Sequence, residues 1–321
     1  MLGNFLEVVG GLLLLVWGAN RFVYGAAAMA RNLGVAPLLI GLTVVAIATS
    51  APEILISIVA AWRGAPELAI GNAIGSNIVN IGLVLGLVAL IRPVRLSSQT
   101  LRREMPALLA VTLLGVSLFL DAFLSRIDGV ILLSCLVFVM FWLIKLGLRS
   151  SVDDTINLEY EADIPRGVSM GRAIGWFVVG LASLLAGAEF MVNGAIEIAR
   201  FLGMSEVVIG IVLVAFATSV PELAVSLVAA RKGEYGLAIG NIVGSNLFNI
   251  LAVVGVAALI APSSLPPSVL SLHLFVMVAF TLVLFTMTYE QEGTGSITRV
   301  EGAALLIAYI AYDIYVVVQN V

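Results

Sequence analysis

The chain has 321 residues, 61% of them hydrophobic and 11% charged, with a formal net charge of −4 and a mean hydropathy of +1.14. Soluble domains carry about 25% charged residues, so this composition identifies a polytopic membrane protein without a soluble domain of any size. Lys and Arg never form a stripe with aromatics, which argues against nucleic-acid binding. The single Cys135 excludes a disulfide framework within the chain.

In chain order, apolar segments of roughly 20 residues predict ten membrane helices. They lie near 3–22, 36–61, 67–91, 105–120, 127–148, 172–194, 206–230, 236–260, 269–288 and 298–319. No positive region precedes the first, so it reads as a span and not as a cleaved signal. The fourth is the shortest. The longest polar stretch, 149–171, separates five spans from five. Its acidic run, Asp153, Asp154, Glu159, Glu161 and Asp163, matches no calcium-loop spacing and reads as a solvated linker.

One motif pair occurs twice. Residues 41–80 contain Ala-Thr-Ser-Ala-Pro-Glu (48–53) and Gly-Asn-Ala-Ile-Gly-Ser-Asn-Ile-Val-Asn (71–80). Residues 210–249 contain Ala-Thr-Ser-Val-Pro-Glu (217–222) and Gly-Asn-Ile-Val-Gly-Ser-Asn-Leu-Phe-Asn (240–249). The offset is 169 without a gap, and 22 of the 40 paired positions are identical. The organisation that follows is a first five-helix repeat over 1–150, a linker over 151–171 and a second five-helix repeat over 172–321. An odd number of spans per repeat makes the second copy enter the membrane from the opposite side. Charge counting agrees. Loops on the side of the N-terminus carry Arg63, Arg126 and Arg200, 3 cations, and the other side carries the remaining 13 of the 16 Lys and Arg. The positive-inside rule then places both termini outside and the linker in the cytoplasm of a multi-pass cell-membrane protein. An all-α fold of two inverted repeats is the signature of alternating access.

The motifs fall near the middle of their spans, where polar groups are expensive and functional by default. At helical spacing Thr49 shares a face with Glu53, and Ser50 lies one turn from Glu53. Ser76 and Asn80 are spaced alike, and Thr218, Ser219, Glu222, Ser245 and Asn249 repeat the pattern. Pro52 and Pro221 free the carbonyls of Ala48 and Ala217. Gly71, Gly75, Gly240 and Gly244 permit close backbone approach or a break. The inventory is hard oxygen, which suits Ca²⁺, Na⁺ or Mg²⁺ and disfavours Zn²⁺ and Cu. Two glutamates carry the charge that one divalent cation neutralises, and a flexible many-oxygen site favours Ca²⁺ over Mg²⁺.

Each feature also has a bland reading. Ser57 and Ser226 read as packing hydroxyls, and Asn77 and Asn246 as interhelical glue. Glu189 leaves a packing or interface role and a gate role both open. Asp313 and His273 have no repeat partner in kind and read as interfacial or satisfied groups. Asp128 starts a span, where a carboxylate suits the helix dipole. Glu53 and Glu222 resist such readings, because each follows Thr-Ser-x-Pro at an equivalent midplane position.

Thr-Ser-x-Pro-Glu and Gly-Asn-x-x-Gly-Ser-Asn, each present twice, resemble the two α-repeats of the cation/Ca²⁺ antiporter superfamily. The ten-span form is similar to prokaryotic sodium/calcium exchangers, and the resemblance covers essentially the whole chain. It implies a secondary antiporter, not an enzyme, with Ca²⁺ and Na⁺ as transported ions and no cofactor. It implies four cation sites between the second, third, seventh and eighth helices. Glu53 and Glu222 would ligate Ca²⁺ and Na⁺, and Thr49, Ser50, Ser76, Thr218, Ser219 and Ser245 would add oxygens. Carbonyls of Ala46 and Ala215 would complete the set, and the first and sixth helices would slide across this core as the gating pair. Some members carry Asp where this chain has Asn249 facing Asn80, and K⁺-dependent relatives use an Asp in this region. That departure bears on the coupling ion more than on Ca²⁺.

A Ca²⁺/H⁺ exchanger is the nearest alternative, with a K⁺-dependent exchanger and a cation channel behind it. A channel gives no reason for inverted duplication. An intramembrane protease lacks both His-Glu-x-x-His and a Ser–His pair at membrane depth. Beyond the ions and the lipid bilayer, the sequence points to no obligate protein partner.

Overall fold

Backbone polar groups in hydrocarbon must be satisfied within their own segment, so a chain this apolar folds as helices. The computed structural model describes residues 2–96, 101–150, 167–202, 215–265, 269–288 and 295–320. Its helices are α1 (Leu2–Leu33), α2 (Pro37–Thr49), α3 (Ala51–Trp62), α4 (Pro66–Ile91), α5 (Leu101–Phe119) and α6 (Arg126–Ser150). They continue with α7 (Met170–Phe201), α8 (Ala215–Thr218), α9 (Val220–Arg231), α10 (Tyr235–Ile260), α11 (Val269–Thr288) and α12 (Arg299–Asn320). Among the described residues seven helices are long and apolar enough to cross a membrane, or eight when the bent pair α2–α3 counts as one span. The protein is thus an all-helical, multi-pass membrane protein. Positions 206–214 of the expected seventh span, and the acidic run of the linker, lie outside the described residues.

Two boundaries differ from expectation. The first span does not end near residue 22, and the sixth runs past 194 to Phe201. Arg21, expected in a loop, sits inside α1 with its guanidinium 4.5 Å from the Trp176 ring centre and 5.7 Å from that of Trp17. Its stem lies along apolar surface while the charge finds a π-face, so the helix continues through it. Gly34, at φ +66°, ends α1. Its N–H and that of Val35 return to the carbonyls of Arg31 and Ala30, closing the last turn in the left-handed conformation glycine tolerates.

Among the seven spanning helices the most buried are those that carry the Gly-Asn-x-x-Gly-Ser-Asn motifs. Within their apolar windows α4 is 72% buried and α10 is 89% buried, against 11% for α12. The outer helices instead turn side chains such as Phe138 and Val318 away from the protein, as lipid-facing surfaces do.

α1 and α7 pack antiparallel along their length. Gly11, Gly18 and Gly25 meet the backbone of Met191, Leu184 and Phe177, and Gly180, Gly187 and Gly194 meet α1 from the other side. A Cβ at Gly18 would stand 2.5 Å from the Leu184 nitrogen, and one at Gly187 2.4 Å from that of Leu15. Gly11, Gly18 and Gly25 of α1 each have a glycine 169 residues later in α7. Small residues at this spacing let two backbones touch, which is how helices associate where lipid removes the hydrophobic drive.

Two short strand pairs fasten the ends. β1 (Val94–Leu96) pairs antiparallel with β4 (Gly295–Ile297), and β2 (Phe123–Leu124) pairs antiparallel with β3 (Ser263–Ser264). β1 and β3 follow α4 and α10, and each pairs with a strand from the opposite half of the chain. At the head of α6, the Asp128 carboxylate accepts from the N–H and hydroxyl of Ser125 at 2.8 and 2.7 Å, a capping box in keeping with a helix-start carboxylate.

The glycine contacts make a direct prediction. Gly187→Val forces branched carbon into the Leu15 backbone, an overpacking worth about 1–3 kcal/mol. Its melting temperature in detergent will fall, whereas Gly10→Ala, at a position with nothing within 4 Å, will leave it unchanged or higher. Fluorescence-detected gel filtration after heating measures both.

Candidate functional site

The first Thr-Ser-x-Pro-Glu motif does not lie on one continuous helix. The chain breaks at Ser50, with φ −84° and ψ 5°, and α3 leaves α2 at 43°. The expected shared helical face of Thr49 and Glu53 is therefore replaced by a corner. Pro52 lies in the first turn of α3, where its missing N–H costs nothing. Ser219, at φ −92° and ψ 3°, makes the same corner between α8 and α9, followed by Pro221. The corners place Glu53 and Glu222 in the first turns of α3 and α9, where exposed N–H groups favour a carboxylate. The N–H of Ser50 donates to the Ala46 carbonyl at 2.9 Å, and the Thr49 hydroxyl approaches the same oxygen at 3.4 Å. In the second half the N–H of Ser219 turns instead to Phe216, 3.1 Å away.

A second device was not legible in the residues. At Asn80 and at Asn249 the helices α4 and α10 widen into π-turns, Asn80–Leu85 and Asn249–Val254. Such turns concentrate at functional sites because they re-aim side chains within a helix.

These elements bring the expected side chains into one buried cluster. Thr49, Ser50, Glu53, Ser76 and Asn80, with Thr218, Ser219, Glu222, Ser245 and Asn249, are all 8% exposed or less. Glu53 lies near enough to Glu222 to feel its charge. Glu222 Oε1 accepts from the Ser50 hydroxyl at 3.3 Å and from the Ser245 hydroxyl at 3.5 Å. The asparagines join the halves. Asn77 donates to the Asn246 carbonyl at 3.3 Å, and its Oδ1 accepts from Asn249 at 3.0 Å. Asn80 in turn donates to Asn246 Oδ1 at 3.0 Å. A carbonyl can only accept, so the Asn77 amide is oriented, Asn249 must present its nitrogen, and its Oδ1 is left over.

The leftover atoms define the cluster. Glu53 Oε2, Glu222 Oε2, Ser76 Oγ, Ser219 Oγ, Asn80 Oδ1 and Asn249 Oδ1 are all buried without a hydrogen-bond partner in the protein. Buried oxygens are seldom left so, and each such atom calls for an explanation. Six in one cluster, three from each half, with the glutamate and asparagine oxygens equivalent between the halves, are a ready set of ligands for a hard cation.

Asn72 and Asn241 belong to the chemistry without having been singled out. The Asn241 amide nitrogen donates to Ser226 Oγ at 3.0 Å and to the Glu222 carbonyl at 3.3 Å, while its Oδ1 takes the Thr49 hydroxyl at 3.0 Å. Their place in a motif that occurs twice was the available signal. Ser226 is therefore part of this network and not merely packing. His273 is satisfied by the Tyr312 hydroxyl at 2.7 Å, as a bland reading expects. Glu189 stands with Asn193, one turn on, in the wall of a crevice of about 350 Å³ that reaches Thr218 between Pro52 and Pro221.

This architecture has known counterparts. The family model described as sodium/calcium exchanger protein matches residues 4–145 and 172–318. CaxA of Alkalimonas amylolytica is 46% identical over 313 residues, covering 98% of each chain. Sodium/calcium exchanger MaX1 of Methanosarcina acetivorans is 33% identical, covering 96% of this chain and 97% of its own. A solved structure of the sodium-calcium exchanger NCX_Mj superposes with a TM-score of 0.83 at 36% identity, covering 96% of this chain and 97% of that one. With two family matches that between them span nearly its whole length, and a solved exchanger that shares its fold, the chain belongs to the sodium/calcium exchanger family, whose members are membrane transporters and not enzymes.

Proposed function

We propose that this protein is an alternating-access antiporter that exchanges Ca²⁺ for Na⁺ across the membrane. The observation that carries the reading is the cluster of six buried oxygens without protein partners, grouped around two carboxylates. Two glutamates hold −2, so one Ca²⁺ leaves the core roughly neutral. Glu53 and Glu222 are the central ligands, and Thr49, Ser50, Ser76, Asn80, Thr218, Ser219, Ser245 and Asn249 supply neutral oxygens, with the carbonyls of Ala46 and Ala215. Neutral oxygens add coordination without adding charge. The same core therefore holds more than two Na⁺ with a net positive charge, and exchanging the two loads moves charge. The exchanger names of MaX1 and NCX_Mj support this choice of ions.

The reading includes two inverted five-helix halves, 1–150 and 172–321, joined by the linker 151–171. Antiparallel contact between the equivalent glycines of α1 and α7 supports the inversion, as does the exchange of strands between halves. With the distribution of 13 cations against 3, the termini lie outside and the linker inside. The crevice beside Glu189 then opens outward, while the Lys232 ammonium, 3.0 Å from the Asn20 carbonyl, closes the equivalent place on the inner side.

Three outcomes are expected. Glu53→Gln and Glu222→Gln will each fold but lose Ca²⁺ transport in proteoliposomes by on the order of a hundred-fold or more, since each leaves a buried Ca²⁺ without one of its two carboxylate partners, a loss of about 3–5 kcal/mol. Near-parental flux in either variant refutes the assignment. A cysteine at Ser151, introduced with Cys135 replaced, will resist an impermeant maleimide applied to intact cells and react after permeabilisation. Labelling from outside overturns the orientation. An outward Na⁺ gradient will drive Ca²⁺ uptake that responds to clamped voltage and needs no K⁺. Uptake that ignores Na⁺ but follows a pH gradient would instead identify a Ca²⁺/H⁺ exchanger.

A further inference from the structure

The two halves are equivalent in sequence but not in their hydrogen bonds. In the second half Asn241 makes three bonds, to Thr49, to Ser226 and to the Glu222 carbonyl. Its mate in the first half is Asn72, and the repeat makes Thr218, Ser57 and the Glu53 carbonyl the counterparts of those three partners. There the Thr218 hydroxyl reaches Asn72 Oδ1 at only 3.5 Å. The Asn72 amide nitrogen and the Ser57 hydroxyl are both buried and both without a partner. One three-bond latch is made; of the other, only the long Thr218–Asn72 contact is present.

The difference follows the openness of the molecule. Asn241 is fully buried, on the face where Lys232 reaches the Asn20 carbonyl. Asn72 is half-buried, on the face where the crevice reaches Thr218. Val192 lines that crevice, whereas its mate Val23 is completely buried. A buried amide nitrogen and a buried hydroxyl left without partners are costly unless another state satisfies them. Inverted-repeat transporters change sides by rocking one repeat against the other around the site, which brings each half in turn to the arrangement its counterpart held.

Resting on the alternating-access reading above, we propose that Asn241–Ser226 and Asn72–Ser57 are alternating positioning latches, one made in each of the two access states. On the sealed face the made latch holds a ligand hydroxyl, Thr49, and the backbone of the ligand Glu222 in place. When the crevice closes, Asn72 draws Thr218, Ser57 and the Glu53 carbonyl together, and Asn241 lets its three partners go. The ligand set is thus tightened from one half at a time.

The test uses the full chain in nanodiscs, with Cys135 replaced and a single cysteine at Val192 or at Val23. Both faces meet a soluble maleimide, and the ratio of the two labelling rates reads the balance of access states. The parent will label faster at Val192→Cys. Adding Ser226→Ala, which removes the acceptor of the made latch, will raise relative labelling at Val23→Cys about five-fold, the weight of one ordinary hydrogen bond. Ser226→Thr, which keeps the hydroxyl, will restore the parental ratio. Ser57→Ala will move the ratio by a similar factor the other way. Ser57 has no partner here, so a merely structural role predicts no shift, and this variant decides the question even if Ser226→Ala does not fold. An unchanged ratio in Ser57→Ala, or both alanine variants shifting in one direction, overturns the proposal. Ca²⁺ flux in the parent is measured separately: labelling as expected with no flux would sink the exchange reading and leave the latches standing, and the reverse result would do the opposite.

Discussion

Two carboxylates withdrawn from water and given no protein cation are the constraint on which this molecule is organised. Among the described residues neither Glu53 nor Glu222 meets a Lys or Arg side chain, and each keeps one oxygen without any partner. Removing an ion from water costs several kcal/mol after relaxation, and a pair must recover that through geometry and hydrogen bonds. A lysine in the cluster would neutralise the charge permanently. Hydroxyls and amides leave it to be neutralised by something that can depart, which is the requirement for a carrier.

The backbone meets the constraint with breaks that are tolerable only because they are buried in protein. A corner at Ser50 and another at Ser219 turn a continuous span into two helices, so that each glutamate sits at a helix start. π-turns at Asn80 and Asn249 widen the two most enclosed spanning helices at equivalent positions of the repeat. The Asn77–Asn249 and Asn80–Asn246 bonds then fasten one half to the other across the cluster. Irregular backbone of this kind does not occur facing lipid, and its concentration in one place itself marks a cavity for polar cargo.

Much of this was legible in the residues. A motif present twice at one offset located both glutamates and nearly all of the surrounding hydroxyls, because polar groups inside apolar runs have few reasons to exist. The lengths of the apolar segments also placed most spans, but they could not show Arg21 lying along aromatic faces within α1. They could not show the corners either: Pro52 and Pro221 announce a disturbance, while its angle depends on the helices packed around it. π-turns leave no residue signature, since Asn-Ile-Gly-Leu and Asn-Ile-Leu-Ala both read as ordinary helix. Asn72 and Asn241 were visible but unassigned, for their bonds cross between segments that no local spacing connects.

The glycine seam between α1 and α7 constrains how such a molecule moves. Its seats recur every seven residues on both helices, a distance of about 10.5 Å along an α-helix. A slip of any smaller amount would drive side-chain carbon into backbone, so the two helices behave as a single beam. That beam carries one helix from each half, running in opposite senses. A tilt or glide that lifts it from the rest of the bundle at one end presses it down at the other. Opening on both faces at once, which would make the protein a leak, is therefore resisted by the stiffness of the beam itself and needs no separate interlock.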